Sequence, residues 1–151
     1  MPRVFVTGSA DGIGRLAAQT LLDDGSEVVV TLATTTGLSA ARDLLDRGVA
    51  AVVGELPDLE QMGDIASQVN DLGRVDAVIH NVGVYSGPQA MPVNVAARYP
   101  ITALIDRPRR LIYPSSGAQR NRRPNLSARA AHGSSASTAT CPQPLRRAWP
   151  P

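Results

Sequence analysis

Three glycines, Gly8, Gly12 and Gly14, stand within the stretch VFVTGSADGIG from Val4 to Gly14, and their spacing suits one piece of chemistry. A glycine-rich turn between an apolar run and a helix points the free N–H groups of the helix's first turn at one spot, and the helix dipole adds positive potential there. A pyrophosphate fits that spot.

The turn needs a strand before it and a helix after it. Val4-Phe5-Val6 is a short apolar run, and Ile13, Leu16, Ala17 and Leu21 recur at helical spacing until Gly25, a residue suited to the left-handed position past a helix end. Glu27 to Ala33 (EVVVTLA) is β-branched, as in a parallel strand buried on both faces. Leu38, Ala41, Leu44 and Leu45 predict a second amphipathic helix closed by Gly48, and Val49 to Gly54 a third strand. Asp58 followed three residues later by Gln61 resembles a capping box, opening a helix with Leu59, Met62, Ile65, Val69 and Leu72 on one face until Gly73.

Val75 to His80 (VDAVIH) predicts a fourth strand, ending at Asn81-Val82-Gly83. Pro92 to Asp106 has helical periodicity but carries Pro100, which predicts a kink or break. Leu111-Ile112-Tyr113 starts a fifth strand, with Pro114 directly after it, where a central strand tolerates proline badly. Strands alternating with helices over residues 3 to 115 give an α/β fold: a Rossmann-like doubly wound parallel sheet with helices on both faces, incomplete at its C-terminal side. Two regions are expected, a dinucleotide-binding domain over residues 1–118 and a disordered tail over 119–151, where Arg, Pro, Ser, Ala and Thr replace any sustained period.

Length and composition bound the function. A chain of 151 residues holds one domain with a real core. The sequence enters its first strand too early for a secretory signal, and its apolar runs are too short to cross a bilayer, so the expected location is cytoplasmic. Cys141 is the single cysteine, and His80 and His132 complete no zinc-ligand spacing with it, so no metal is expected. Residues 1–106 hold six arginines against thirteen acids, a balance of −7, whereas residues 107–151 hold nine arginines and no acid. Such a segment has the charge for phosphate contacts, but beyond Tyr113 its one aromatic is Trp149 and stacking platforms are lacking, so nucleic acid is not the expected partner. No lysine occurs anywhere.

Four motifs in order resemble the short-chain dehydrogenase/reductases. Thr7-Gly8-Ser9-Ala10-Asp11-Gly12-Ile13-Gly14 is similar to their TGxxxGxG cofactor loop, and His80-Asn81-Val82-Gly83 to their NAG element. Asn94, in PVNVAARYPITAL, matches the family's helix asparagine, and Tyr113-Pro114-Ser115-Ser116-Gly117 the segment that delivers the catalytic serine. The resemblance covers roughly residues 3 to 119.

It implies hydride transfer between a nicotinamide cofactor and a carbonyl or alcohol carbon of a small molecule. By position, Ser116 is the serine and Asn94 the relay residue, while Thr7, Gly8, Ser9, Asp11, Gly12, Ile13, Gly14, Thr34, Glu55, Leu56, Asn81, Val82 and Gly83 fall at cofactor-binding positions. Two roles stay open for Asn81 and Gly83: cofactor contact, or tying neighbouring strands together. Ala33-Thr34-Thr35 offers no acid for ribose hydroxyls, which leans towards NADP over NAD, whereas Asp11 would repel a 2′-phosphate. The chain departs from the family in one decisive respect, since no tyrosine follows Tyr113 and the lysine of the YxxxK motif has no counterpart. A phenol's pKa is about 10 and a neighbouring ammonium is what stabilises phenolate, so the proton-transfer apparatus is missing. The expectation is an oxidoreductase by descent with little or no turnover. A non-catalytic dinucleotide sensor and a non-functional product are the rivals, and the oligomeric state is open.

Overall fold

The computed structural model describes residues 1–34, 37–56, 58–84, 87–88 and 90–115. Residues Met1–Pro114 form one compact unit. Its strands are β1 (Arg3–Val6), β2 (Glu27–Leu32), β3 (Ala50–Val53), β4 (Ala77–Ile79) and β5 (Arg110–Ile112), interleaved with helices α1 (Gly12–Asp23), α2 (Gly37–Ala40), α3 (Arg42–Asp46), α4 (Leu59–Asp71) and α5 (Arg98–Leu104). The strands make one sheet in the order β3-β2-β1-β4-β5. Every pairing is parallel, with Val4 opposite Val28 on one side and opposite Ala77 on the other.

Alternation along the strands builds two cores. Val4, Val6, Val28 and Val30 face the side covered by Ala18 of α1 and Leu44 of α3. Phe5, Val29, Val52 and Val78 face the other side, against Met62, Ile65 and Val69 of α4 and Ile101 of α5. Burying each such aliphatic side chain contributes about 1.5–3 kcal/mol, which explains why the β-branched run of β2 reads as apolar on both faces.

The terminators behave as their residue types require. Gly25, Gly48 and Gly73 take φ of +80°, +89° and +97° after α1, α3 and α4. Asp58 caps α4, accepting from the Glu60 and Gln61 amides at 2.9 and 3.3 Å. The reciprocal half of the predicted box takes another form: the Gln61 side chain donates to the Asp58 carboxylate at 3.0 Å and accepts from the Glu55 amide at 2.9 Å. These donors hold the Asp58 carboxyl below its usual pKa, the Gln61 side chain contributing most.

The predicted Val75–His80 strand shortens to Ala77–Ile79, and three further segments differ from the sequence pattern. The helix predicted through Ala41 divides there into α2 and α3. Pro92 to Asp106 is split into a π-helical turn, Pro92–Ala96, closed by the Ala97 amide on the Pro92 carbonyl at 2.8 Å, and α5. Pro100 accounts for the split: its ring clashes with the carbonyl four residues earlier, at Ala96, so the turn before it widens and the proline falls in the first turn of α5, where no amide is needed. β5 stops at Ile112, one residue short of the predicted Tyr113. It is the last strand of the sheet among the described residues, a place where the following Pro114 removes no ladder bond.

Candidate functional site

The chain runs outwards from β1 to β3, then returns to place β4 beside β1. Ligands of open α/β sheets sit outside the carboxyl ends of the strands at such a reversal. There the structure has a cleft of about 350 Å³ lined by Gly8 and Asp11 after β1, Thr31 and Ala33 of the β2 end, Gly54, Glu55 and Leu56 after β3, and Val82 and Val84 after β4.

The glycine turn is shaped by close approach. Gly8 has φ +68°, and a Cβ on it would lie 2.9 Å from the Val82 Cα. A Cβ on Gly14 would overlap the Gly8 carbonyl and the Asn81 side-chain amide. Gly12, at φ +53°, faces open space. The Asp11 side chain, at the N-cap of α1, makes no capping hydrogen bond, in contrast to Asp58 on α4. The first-turn amides of α1 are therefore left without the side-chain acceptor that α4 has.

The hydroxyls of this loop are engaged with backbone. Thr7 is fully buried; its Oγ1 accepts from the Val82 amide at 3.2 Å and donates to the Ile79 carbonyl at 3.4 Å. Ser9, also fully buried, donates to the Val6 carbonyl at 2.7 Å. Thr31 accepts from the Gly8 amide at 3.0 Å, a brace between β1 and β2 that the sequence did not signal. Asn81 donates to the Gly8 carbonyl at 3.0 Å, so its side chain does tie the ends of β1 and β4 together.

Thr34 lies just beyond β2, its carbonyl accepting from the Gly37 amide at 3.0 Å. Ile13 is the outlier of the predicted set. Its side chain is 76% exposed and lines a different hollow, with Leu16, Ala17 and Ile79, rather than the cleft. Gly83 lies against Asn94, whose Oδ1 is 3.4 Å from where a Gly83 Cβ would be. Ser116 lies outside the described residues.

Asn94 sits in the π-helical turn and clamps the loop after β4. Its Oδ1 accepts from the Val84 amide at 2.8 Å and its Nδ2 donates to the Val84 carbonyl at 2.7 Å. Asn94→Ala leaves both Val84 groups without these partners, an expected cost of about 1–3 kcal/mol. Melting of the variant, together with faster hydrogen exchange at the Val84 amide, checks this; exchange at the wild-type rate would contradict the clamp.

Behind the cleft, His80 is buried with its ring stacked on Tyr113, centroids 4.7 Å apart. Thr102 Oγ1 lies 3.0 Å from both His80 Nε2 and the Tyr113 hydroxyl. Arg98 donates to the Val82 carbonyl at 3.2 Å and places its guanidinium 5.9 Å from the Tyr113 ring centre. Burial, and secondly the Arg98 charge, push the His80 pKa down to about 4. Pattern reading could not find this cluster, because its members meet only when α5 folds over β4 and β5.

Arg15 is the other residue that pattern reading passed over. From the first turn of α1 it reaches the Ala10 carbonyl at 3.5 Å and the Ala40 carbonyl, and pairs with Asp43 at 2.6 Å. It is thus a cation beside Ala10, which also lines the cleft. Among the described residues no cluster of three or more His, Cys, Asp or Glu could hold a metal ion, and no helix is long and apolar enough to cross a membrane.

A family model described as short chain dehydrogenase matches residues 2–105. An uncharacterized oxidoreductase of Emericella nidulans is 34% identical over 129 residues, covering 77% of this chain and 51% of the relative. A short-chain dehydrogenase of Penicillium rubens is 31% identical over 125 residues, covering 77% of this chain and 48% of its own length. The chain therefore spans about half the length of these relatives. Among solved structures, a blue fluorescent protein from a metagenomic library, in complex with NADPH, aligns at 25% identity and TM-score 0.66, over 86% of this chain and 62% of that one. A metagenomic short-chain oxidoreductase in complex with NADP aligns at 26% identity and TM-score 0.58, over 69% and 54%. The glycine turn, the 3-2-1-4-5 parallel sheet and these matches agree: the chain belongs to the short-chain dehydrogenase family of oxidoreductases.

Proposed function

We propose that this chain is a dinucleotide-binding module of short-chain dehydrogenase type that holds NAD(P) and transfers hydride slowly or not at all. The observation that carries the reading is the side-chain-uncapped start of α1 set against a turn where Gly14 admits no Cβ, beside the cleft. In this reading the backbone of Gly8, Gly12, Ile13 and Gly14 receives the pyrophosphate. Leu56 and Glu55 border the adenine end, and Val82 and Gly83 the nicotinamide end. The buried hydroxyls of Thr7 and Ser9 act by fixing the turn, and Asn94 by fixing the 81–84 loop.

When bound, the nicotinamide would supply or accept a hydride. Ser116, at the family's serine position, would orient a carbonyl or alcohol oxygen. Nothing matches the tyrosine–lysine pair that would move the proton: the chain contains no lysine, and the Tyr113 hydroxyl is engaged with Thr102. Arginine, always protonated, does not serve as the donor.

A preference for NADP is supported by the absence of an acid at Ala33 and Thr34 and by the Arg15 guanidinium beside Ala10. Titration of the purified chain with NADPH and NADH, following nucleotide fluorescence and melting together, tests the whole reading. Saturating ligand at a hundred times its Kd adds about 2.7 kcal/mol of stability. NADPH is expected to raise the melting temperature more than NADH does, and Arg15→Ala to remove the difference. Absence of a shift with both nucleotides would overturn binding, and carbonyl reduction at ordinary enzyme rates would overturn the inactive reading.

A further inference from the structure

Arg98 opens α5, and no carboxylate neutralises its charge. The ion pairs among the described residues run through Arg3, Arg15, Arg47 and Arg109, none through Arg98. Its Nε is buried without a hydrogen-bond partner, while its Nη2 donates to the Val82 carbonyl at 3.2 Å. The ring beside it, that of Tyr113, has its centre 5.9 Å from the guanidinium carbon and supplies no countercharge. A guanidinium stays protonated in proteins, so a fixed positive charge stands one peptide group behind Val82, a residue that lines the cleft. Its field is felt at His80, where it is the second cause, after burial, of the lowered pKa.

We propose that Arg98 makes the cleft select the reduced form of the dinucleotide, so that the chain holds NAD(P)H and releases NAD(P)+. Selection of this kind rests on the nucleotide reading above and adds the redox state to it. The two forms differ in charge at one place: the oxidised nicotinamide ring is a cation and the reduced ring is neutral. Pyrophosphate, riboses and adenine are common to both, so whatever Arg98 does to them cancels in the ratio of the two affinities.

With the pyrophosphate at the glycine turn and the adenine towards Leu56, the nicotinamide falls towards Val82 and Gly83, on the Arg98 side. Like charges there repel, and for a half-buried cation in surroundings of effective dielectric about 20 the repulsion extends over roughly 10 Å. The carboxylates of Asp11 and Glu55 also line the cleft, but at the turn and the β3 end, beside parts of the ligand whose charge does not change. A module that discriminates in this way and lacks the tyrosine–lysine pair reports the ratio of reduced to oxidised nucleotide rather than turning it over.

The test is calorimetric titration of the full 151-residue chain with NADPH, NADP+, NADH, NAD+ and ADP-ribose, the last being the dinucleotide without its nicotinamide ring. The wild type is expected to bind each reduced form about tenfold more tightly than its oxidised partner. Arg98→Gln should cut that ratio about threefold or more, chiefly by strengthening the oxidised form, and leave the affinity for ADP-ribose unchanged. Arg98→Lys, which keeps the charge, should keep the ratio, and Arg98→Met is a second neutral variant in case the glutamine loses the fold. A merely structural role for Arg98 would weaken all five ligands together and leave the ratio where it was. Equal affinities for the two redox forms in the wild type, an unchanged ratio in the neutral variants, or a ratio lost equally in Arg98→Lys would each overturn the proposal while leaving nucleotide binding intact. No binding of any of the five ligands would overturn both.

Discussion

Gly14→Ala is expected to abolish the nucleotide-induced rise in melting temperature and to destabilise the chain even without nucleotide. The added methyl would overlap the Gly8 carbonyl and the Asn81 amide, and neither can withdraw freely. The Gly8 carbonyl is accepting the Asn81 bond at 3.0 Å, and Gly8 itself is pressed against Val82 and held by Thr31. Relief of the clash must therefore move the turn and the 81–84 loop together, both of which line the cleft. Overpacking of this kind costs about 1–3 kcal/mol, and each 1.4 kcal/mol lost from binding is about a tenfold loss of affinity.

Gly63→Ala is the matched control. Gly63 lies within α4 with nothing in the space a Cβ would take, so alanine should raise stability by about 0.5–1 kcal/mol through helix propensity and a less flexible unfolded chain. Thermal melts with and without NADPH separate the two variants. If Gly14→Ala bound nucleotide as the wild type does, the turn would not be the pyrophosphate site.

The parts of this molecule that short-range chemistry determines were legible in its sequence. β2 is readable because a strand buried on both faces must be apolar throughout, and α4 because Asp58 and Gln61 announce its start and Gly73 its end. The glycine turn is readable because positive φ and close approach exclude side chains. What could not be read depends on partners distant in the chain. The Thr7 hydroxyl looks like a ligand-facing group until Val82 is placed beside it. Ile13 has the period of a core residue, but the α1 face it occupies is one that the described residues leave uncovered. The split of the Pro92–Asp106 segment was signalled by Pro100, yet the widened turn falls ahead of the proline and points Asn94 at Val84.

Acidification provides the sharpest test of the buried cluster. His80 titrates at about 4 in the folded chain against an ordinary 6.5, mainly because burial disfavours its charged form and secondly because Arg98 faces it. Tyr113 and Thr102 complete its surroundings, and its Nδ1 has no hydrogen-bond partner among the described residues. Between these two pKa values the unfolded chain binds a proton that the folded chain does not. The His80 contribution to stability therefore falls as pH drops from about 6.5 towards 4 and levels off below, the full difference being at most about 3.4 kcal/mol. The Asp58 cap is lost only as pH falls through the lowered carboxylate range, so the two losses are ordered along the pH axis. His80→Asn keeps a polar side chain at this position but removes the titration. Its melting temperature should start lower at pH 7 and stay nearly flat down to pH 4.5, while that of the wild type slopes downward. Equal slopes in the two proteins would mean that His80 is not held neutral by its burial, and the stacked arrangement with Tyr113 and Arg98 would have to be abandoned as the cause of acid sensitivity.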